Sequence, residues 1–262
     1  MTKFCLIGDS HLGALGAGIA AIDISAPDYE TTFFSMHARN FPALQMKGRE
    51  LEGATDELRR EFAAFSGGRE SIELDLYDAF VIVGQGLSIG HLVDLYRDYC
   101  CDSMPGPQRG RYLLSDACYI SASERIIGSV NAMKIGRLIR SVTDKPITFV
   151  AAPNPGSGVP ESEMPPEFPP FYTAVECGDA ESIAMIFRAV CARIAKAKDV
   201  RIIPPIDEAA ENGLFNRQEF SLLAERDAEG APLSDRIGAM VHGNGRYGAM
   251  LARVVFDREA PL

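Results

Sequence analysis

Short apolar runs alternate with helical patterns along the whole chain. The runs predict buried strands at residues 3–8, 31–36, 78–84, 146–152 and 200–203. The run at 78–84, DAFVIVG, is the clearest, because an unbroken apolar run is typical of a strand whose two faces are both covered. Apolar residues at helical spacing predict helices over 12–24, 49–65, 120–142, 179–197 and 245–257.

The order of these elements is strand, helix, strand, helix, repeated about five times along the chain. This order predicts a parallel sheet with helices on both faces, in a single domain over 1–262. The sequence contains no internal repeat and no linker. The proline-rich stretch 153–171 interrupts the alternation and predicts a surface loop near the strand ends, not a helix.

Composition narrows the classes of function. Hydrophobic residues make up 47% of the chain and charged residues 24%, so a core without disulfides or metal is expected. The net charge of −10 argues against binding to nucleic acids and to anionic membranes, because both would repel an acidic surface. The six cysteines form no CxxC pair, and no apolar run reaches 18 residues or resembles a leader. We therefore expect a cytoplasmic protein; its oligomeric state stays open.

The first candidate for chemistry follows the first predicted strand, at Gly8-Asp9-Ser10-His11. Ligands of open parallel sheets bind outside the carboxyl ends of the strands. A serine on a tight turn between a strand and a helix exposes its hydroxyl near free backbone N–H groups, which favours attack on a carbonyl. The alternative is that Asp9 or Ser10 is an ordinary N-cap, which the same position favours.

The second candidate lies near the other end of the chain. Residues 242–248 read HGNGRYG, a glycine-rich loop that leads into the last predicted helix. A serine nucleophile needs a base whose pKa is close to neutral, and histidine is the natural choice. His242 is placed where such a base would be expected.

Together these two segments resemble the GDSL/SGNH hydrolases. Gly8-Asp9-Ser10 is similar to the first block of that family, and His242-x-Asn244-x-x-Tyr247-Gly248 is similar to its last block. The resemblance implies a flavodoxin-like three-layer α/β/α sandwich with a parallel five-stranded sheet. It also implies that Ser10 is the nucleophile and His242 the base, and that no cofactor is required. The implied small-molecule ester substrates are acetylated sugars, lipids or small acyl esters, among which the sequence does not choose.

The sequence departs from the family pattern at several positions. The family aspartate three residues before the histidine is replaced by Ala239, so Asp235 or a backbone carbonyl would have to orient His242. The family Gly-x-Asn is replaced by Gly84-Gln85-Gly86, and Gln85 carries an equivalent amide for the oxyanion hole. The Ser10 N–H and the Gly48 N–H, with Asn40 as the alternative to Gly48, complete the predicted oxyanion hole.

The predicted function is a serine esterase or acyl-hydrolase that works through an acyl-enzyme on Ser10. Two alternatives stay open: a catalytically degenerate module that binds a carbohydrate or a partner, and an acyltransferase. Gly243-x-Gly245-x-x-Gly248 matches the dinucleotide fingerprint only literally, because it lacks a long preceding strand and an acidic residue about 20 positions later. His11, His37 and His91 share no metal-ligand spacing. The aromatic run 165–172 is either a lid over the site or a rigid surface loop.

Overall fold

The computed structural model describes residues 1–22, 29–108, 110–159, 168–225 and 236–256, without the side chains of Arg236 and Ile237. The described strands are β1 Thr2–Gly8, β2 Tyr29–Ser35, β3 Leu44–Lys47, β4 Glu50–Gly53, β5 Ser71–Glu73, β6 Ala79–Val83, β7 Tyr99–Cys101, β8 Tyr112–Leu114, β9 Ile147–Val150, β10 Arg201–Ile203, β11 Ala210–Glu211 and β12 Phe215–Asn216. The described helices are α1 Leu12–Ala21, α2 Asp56–Phe65, α3 Gly90–Tyr96, α4 Asp116–Ile127, α5 Asn131–Arg140, α6 Pro169–Cys177, α7 Ala180–Lys198, α8 Arg236–Val241 and α9 Gly245–Phe256.

The five predicted strands form one parallel central sheet in the order β10-β9-β6-β1-β2. Counted along the chain, this is the flavodoxin-like strand order 2-1-3-4-5. Because the sheet is flanked by helices on both faces, the predicted three-layer α/β/α sandwich is confirmed.

Residues along each central strand alternate between the two faces. Cys5 and Ile7 face one hydrophobic cluster, which also contains buried residues of α2 to α7. Leu6, which lies between them, faces the other cluster, which is closed by α1 and α9. The strands are therefore apolar on both faces, which explains why they lack the polar alternation of a half-exposed sheet.

Helices α1 and α9 cross at very short range on the second face. A Cβ added to Gly248 would lie 1.7 Å from the Ala14 carbonyl oxygen, and one added to Gly18 would lie 2.0 Å from the Gly248 carbonyl carbon. Only glycine permits backbones to approach so closely. The crossing matters for the site because α1 begins two residues after Ser10, and α9 begins three residues after His242.

The helix predicted over 49–65 is wrong in its first part. Residues 44–53 form the β3–β4 hairpin, with Gly48 at positive φ in the turn, and β4 also pairs with β5. The helix begins at Asp56, because the Thr55 side chain accepts the Leu58 N–H at 3.3 Å and caps it. The charged residues Glu50 and Glu52 of β4 extend the charged pattern of the helix, which explains the misplaced helix start.

Two further predicted boundaries differ from the structure. The helix predicted over 120–142 is divided into α4 and α5, with α4 ending before Gly128. The proline-rich stretch, predicted not to be helical, contains the start of α6, because Pro169 and Pro170 occupy its first turn, where no backbone donor is lost. Residues 160–167 of that stretch lie outside the described residues. No helix in the described ranges is long and apolar enough to cross a bilayer.

Candidate active site

Ser10 lies in the turn between β1 and α1, at the carboxyl edge of the central sheet. Gly8 makes this turn possible, because a Cβ there would lie 2.7 Å from the Val83 carbonyl oxygen. The turn is closed by hydrogen bonds from the Leu12 N–H to the Asp9 carbonyl (3.0 Å) and from the Gly13 N–H to the Ser10 carbonyl (3.1 Å). Ser10 is exposed, and its N–H has no hydrogen-bond partner among the residues that the structure describes.

The buried Asp9 carboxylate joins this turn to the turn after β6. It accepts the His11 N–H at 3.1 Å and the Gln85 N–H at 3.3 Å. Gly84 stands at positive φ beside it, and a Cβ at that position would lie 2.7 Å from the His11 ring. Asp9 therefore fixes the backbone on both sides of Ser10 and contributes no nucleophile or base.

His242 follows α8, in the loop that enters α9. Its carbonyl accepts the Leu222 N–H at 3.0 Å. Two residues later, the Asn244 side chain caps α9 by accepting the N–H groups of Arg246 (3.0 Å) and Tyr247 (3.1 Å). The Asn244 amide in turn donates to the carbonyl of Ser221 at 3.1 Å. This network holds the loop on both sides of His242 and explains the asparagine of the predicted block.

The structure brings Ser10 and His242 together, although they are 232 residues apart in the chain. The distance from Ser10 Oγ to His242 Nε2 is 2.6 Å. The other ring nitrogen, Nδ1, lies 2.6 Å from the carbonyl oxygen of Gly238. A carbonyl can only accept a hydrogen bond, so Nδ1 donates to it, and Nε2 is left free to accept the serine O–H.

The orienting group for His242 in this structure is thus the Gly238 carbonyl. Ala239, at the family aspartate position, is buried in the larger hydrophobic cluster and has no polar side-chain atom to offer the imidazole. Asp235 lies outside the described residues, so its predicted role stays a prediction. A carbonyl fixes the tautomer of a histidine as a carboxylate does, but it carries no full negative charge to stabilise an imidazolium.

The prediction that Gly48 contributes to the oxyanion hole is wrong. Gly48 lies in the exposed β3–β4 turn, and the next residue, Arg49, contacts Asp75 and the Val142 carbonyl. These partners lie at the amino edge of the sheet, opposite Ser10. The alternative, Asn40, donates its amide to Glu61 at 2.6 Å. Many residues separate Gly48 from the end of β2. Its position in the chain therefore did not show whether it lies near Ser10 or in a remote turn.

Gln85 is close to Ser10 in the fold, but its side chain does not reach the surface of the site. The residue is 1% exposed, and both polar atoms of its amide are buried without a hydrogen-bond partner. Its backbone, at φ 53°, donates to Asp9 through the N–H. An amide enclosed in this way cannot replace the family asparagine unless its side chain moves. The predicted role for Gln85 is therefore not supported by its position.

Sequence reasoning missed His11 as part of the site, because it weighed this residue only as a metal ligand. The ring centroids of His11 and His242 are 4.9 Å apart, with an angle of 36° between their planes. Burial is the main cause that lowers the pKa of His11; Asp9 opposes this shift and His242 adds to it. The sequence did contain a signal for this role: His11 directly follows Ser10, so the two residues lie in the same turn.

A cleft of about 240 Å³ lies at the carboxyl edge, where the chain neighbours of Ser10 and His242, His11 and Val241, are among its lining residues. Its walls are mostly apolar, with a few polar groups; they are His11, Gly86, Ser88, Gly90, Asp94, Ala152, Pro153, Pro155, Phe168, Phe171 and Val241. Phe168 and Phe171, from the predicted aromatic run, thus form a wall of the cleft. A partly open apolar cleft beside a serine suits an uncharged organic group better than a highly charged one.

The adjacent pair Cys100 and Cys101 is poorly placed to supply a nucleophile. All six cysteines are free thiols, and Cys100 and Cys101 are both buried. Burial raises the pKa of Cys101 to about 11, which disfavours the thiolate. Within the described ranges, no group of three or more His, Cys, Asp or Glu side chains is arranged to hold a metal ion.

Comparisons with known proteins add little to this geometry. No protein-family model matches the chain, and no curated protein matches it. Among solved structures, an extracellular lipase from Streptomyces rimosus is 11% identical, with a TM-score of 0.40 over 97% of this chain and 98% of the lipase. A DUF4886 family protein from Bacteroides uniformis is 10% identical, with a TM-score of 0.37 over 99% of this chain and 97% of that one. At these TM-scores neither likeness transfers an activity to the chain.

Proposed function

We propose that the protein is a serine hydrolase that cleaves small-molecule esters, with Ser10 as nucleophile and His242 as general base. The observation that carries this proposal is the chain of two short hydrogen bonds, from Ser10 Oγ to His242 Nε2 and from His242 Nδ1 to the Gly238 carbonyl. A nucleophile, a base and an orienting acceptor in this order form the arrangement that activates a serine.

The proposed reaction begins when Ser10 Oγ attacks the ester carbonyl and transfers its proton to His242 Nε2. The tetrahedral intermediate then collapses, and His242 returns the proton to the leaving alcohol, which leaves an acyl group on Ser10. A water molecule, deprotonated by His242, releases the acid and restores the serine. The free Ser10 N–H supports the proposal, since it is available to stabilise the oxyanion.

The Gly238 carbonyl has a consequence for the rate. It keeps the proton on Nδ1, but it stabilises the imidazolium less than a carboxylate would. Esters need less activation than amides because their leaving groups are better. A serine–histidine pair without a carboxylate is therefore consistent with an esterase and argues against a peptidase.

The test is labelling with a fluorophosphonate probe together with hydrolysis of a short-chain aryl ester. We expect one label per chain, located on Ser10 by peptide mapping. We expect Ser10→Ala to lose labelling and to lower the hydrolysis rate by a factor on the order of 10⁴ or more. Ser141→Ala is the matched control, because Ser141 is an exposed serine near the amino edge of the sheet.

The outcomes separate the alternatives. An unlabelled wild-type protein that hydrolyses no ester would overturn the proposal in favour of a binding module. Labelling at Ser10, with acyl transfer to an added alcohol faster than hydrolysis, would instead indicate an acyltransferase. Equal rates for Ser10→Ala and the wild type would show that another group is the nucleophile.

A further inference from the structure

The histidine that follows the nucleophile has an unusual environment. His11 Nδ1 is buried and has no hydrogen-bond partner among the described residues. Its Nε2 is not enclosed in this way, and the residue lines the cleft beside Ser10. The two nitrogens of one ring therefore face different surroundings, one dry and one open to a bound molecule.

This difference determines where a neutral His11 carries its proton. A neutral imidazole has one N–H donor and one nitrogen acceptor. Orphaned buried N–H groups are rare in proteins. A proton on Nε2 leaves the partnerless, buried Nδ1 without an N–H, so Nε2 is the nitrogen that can donate to a bound molecule.

The ring is also fixed in place. The Asp9 carboxylate holds the His11 backbone N–H at 3.1 Å. The absence of a side chain at Gly84 gives the ring its space, since a Cβ there would contact it at 2.7 Å. The His242 ring, 4.9 Å away between centroids, forms the other side. A donor held by its surroundings needs little reorganisation when charge develops nearby.

Because the Gln85 amide is enclosed, the oxyanion hole lacks the side-chain donor that the sequence predicted for it. An oxyanion hole needs donors in addition to the nucleophile's own N–H, and the predicted ones, Gly48 and Gln85, are remote or enclosed. His11 is adjacent to Ser10 in the chain, and it lines the cleft at the carboxyl edge.

On the basis of the proposed hydrolase function, we propose that His11 is a catalytic residue that donates its Nε2–H to the carbonyl oxygen of the bound ester. In this role the bond strengthens as the oxygen becomes negative. His11 remains neutral throughout and exchanges no proton with the substrate. The serine proton still moves to His242 alone.

The test compares three substitutions with different donors. Leu removes the donor and keeps bulk, Gln places an amide nitrogen near the position of Nε2, and Asn places one near Nδ1. We expect His11→Leu and His11→Asn to lower kcat for an aryl ester by roughly 10²- to 10³-fold with KM nearly unchanged. We expect His11→Gln to recover much of that loss. His37→Leu, at an exposed histidine paired with Glu61, is the control and should retain the wild-type kcat.

A second measurement does not depend on activity. The chain has four histidines, so ¹⁵N spectra of the ring nitrogens can be assigned by comparing the wild type with His11→Gln. We expect His11 to be neutral with its proton on Nε2. A proton on Nδ1 would overturn the proposal.

The failure of this proposal is distinguishable from failure of the proposed function. A wild-type protein that neither reacts with the fluorophosphonate nor hydrolyses esters would remove both. An active protein whose kcat survives His11→Leu, or in which Asn rescues as well as Gln, would overturn the role of His11 and leave Ser10 and His242 in place.

Discussion

Polar side chains at the two edges of the central sheet differ in how fully they are hydrogen-bonded. At the carboxyl edge, the His11 Nδ1 and the Gln85 amide are buried without partners, and Gln85 adopts a positive φ although it is not glycine. At the amino edge, Lys145 Nζ donates to three backbone carbonyls, those of Leu74, Asp75 and Tyr77. His11 and Gln85 thus leave hydrogen-bonding capacity unused, whereas Lys145 uses all three of its donors.

The amino edge shows what polar residues do when their task is structural. Lys145 joins the segment before β6 to the segment before β9, and Arg49 pairs with Asp75 while donating to the Val142 carbonyl at 2.8 Å. Such donors and acceptors stabilise the fold because each satisfies the hydrogen-bonding capacity of another. Unpaired groups at the other edge cost stability, and sites that bind or react are where proteins tolerate such costs.

The largest expected loss of stability and activity comes from disturbing the α1–α9 crossing. This crossing holds Ser10 and His242 together at the carboxyl edge. Gly248→Ala places a methyl group 1.7 Å from the Ala14 carbonyl oxygen, so the helices must separate. We expect a loss of roughly 3 kcal/mol or more in the free energy of unfolding. We also expect a large fall in ester hydrolysis, because the movement separates Ser10 from His242. Denaturant unfolding and rate measurements check the two effects.

Gly13→Ala is the control for that substitution. Gly13 is exposed on the same helix, and a Cβ there meets no atom within 4 Å. Removing a helical glycine should raise stability by up to about 1 kcal/mol. Equal effects of the two substitutions would show that the crossing does not hold the carboxyl edge together.

A smaller effect is expected from restoring the family carboxylate. Ala239 is 1% exposed and packs in the hydrophobic cluster, so Ala239→Asp would bury a carboxylate among apolar side chains. We expect the free energy of unfolding to fall by roughly 2–3 kcal/mol and the hydrolysis rate not to rise. Asp235→Asn should be nearly silent, since the Gly238 carbonyl already holds Nδ1. A gain in rate from Ala239→Asp would contradict the position of this side chain.

The smallest effect is expected at the amino edge. Lys145→Met removes the donor that three carbonyls share, and we expect a loss of about 1–2 kcal/mol in the free energy of unfolding. Fluorophosphonate labelling of Ser10 should proceed at the wild-type rate below the unfolding transition. Lys134→Met, at an exposed lysine on α5, is the control and should change neither quantity. Slower labelling in Lys145→Met would show that the two edges are coupled.

The central sheet was predictable because its strands are apolar on both faces. Continuous runs such as 78–84 stand out in the sequence, and their alternation with helices leaves few topologies. The three-stranded antiparallel sheet of β3, β4 and β5 was missed. Its strands are three or four residues long and rich in charge, so they carry no periodic signal.

The candidate site was predictable where it depended on chain position. Ser10 and His242 flank elements that the pattern identifies, and the fold brings them to one edge. The Gly238 carbonyl and the enclosure of Gln85 were not predictable, because main-chain acceptors and side-chain burial depend on how loops pack. Gly48 was misassigned for a similar reason. The sequence does not distinguish a glycine in a hairpin turn from a glycine whose N–H contributes to an oxyanion hole.

The order in which the chain is synthesised determines when the crossing of α1 and α9 can form. The nucleophile emerges from the ribosome before its base, which follows 232 residues later together with the helix that positions it. Until α9 emerges, the second face of the sheet lacks Tyr247, Leu251 and the other apolar residues of that helix, and Leu6 and Val81 lack part of their packing. A nascent chain would therefore hold an inert serine beside an uncovered apolar surface. Reactivity with a fluorophosphonate should arise only with the closing of that surface, which makes the probe a reporter of completed folding.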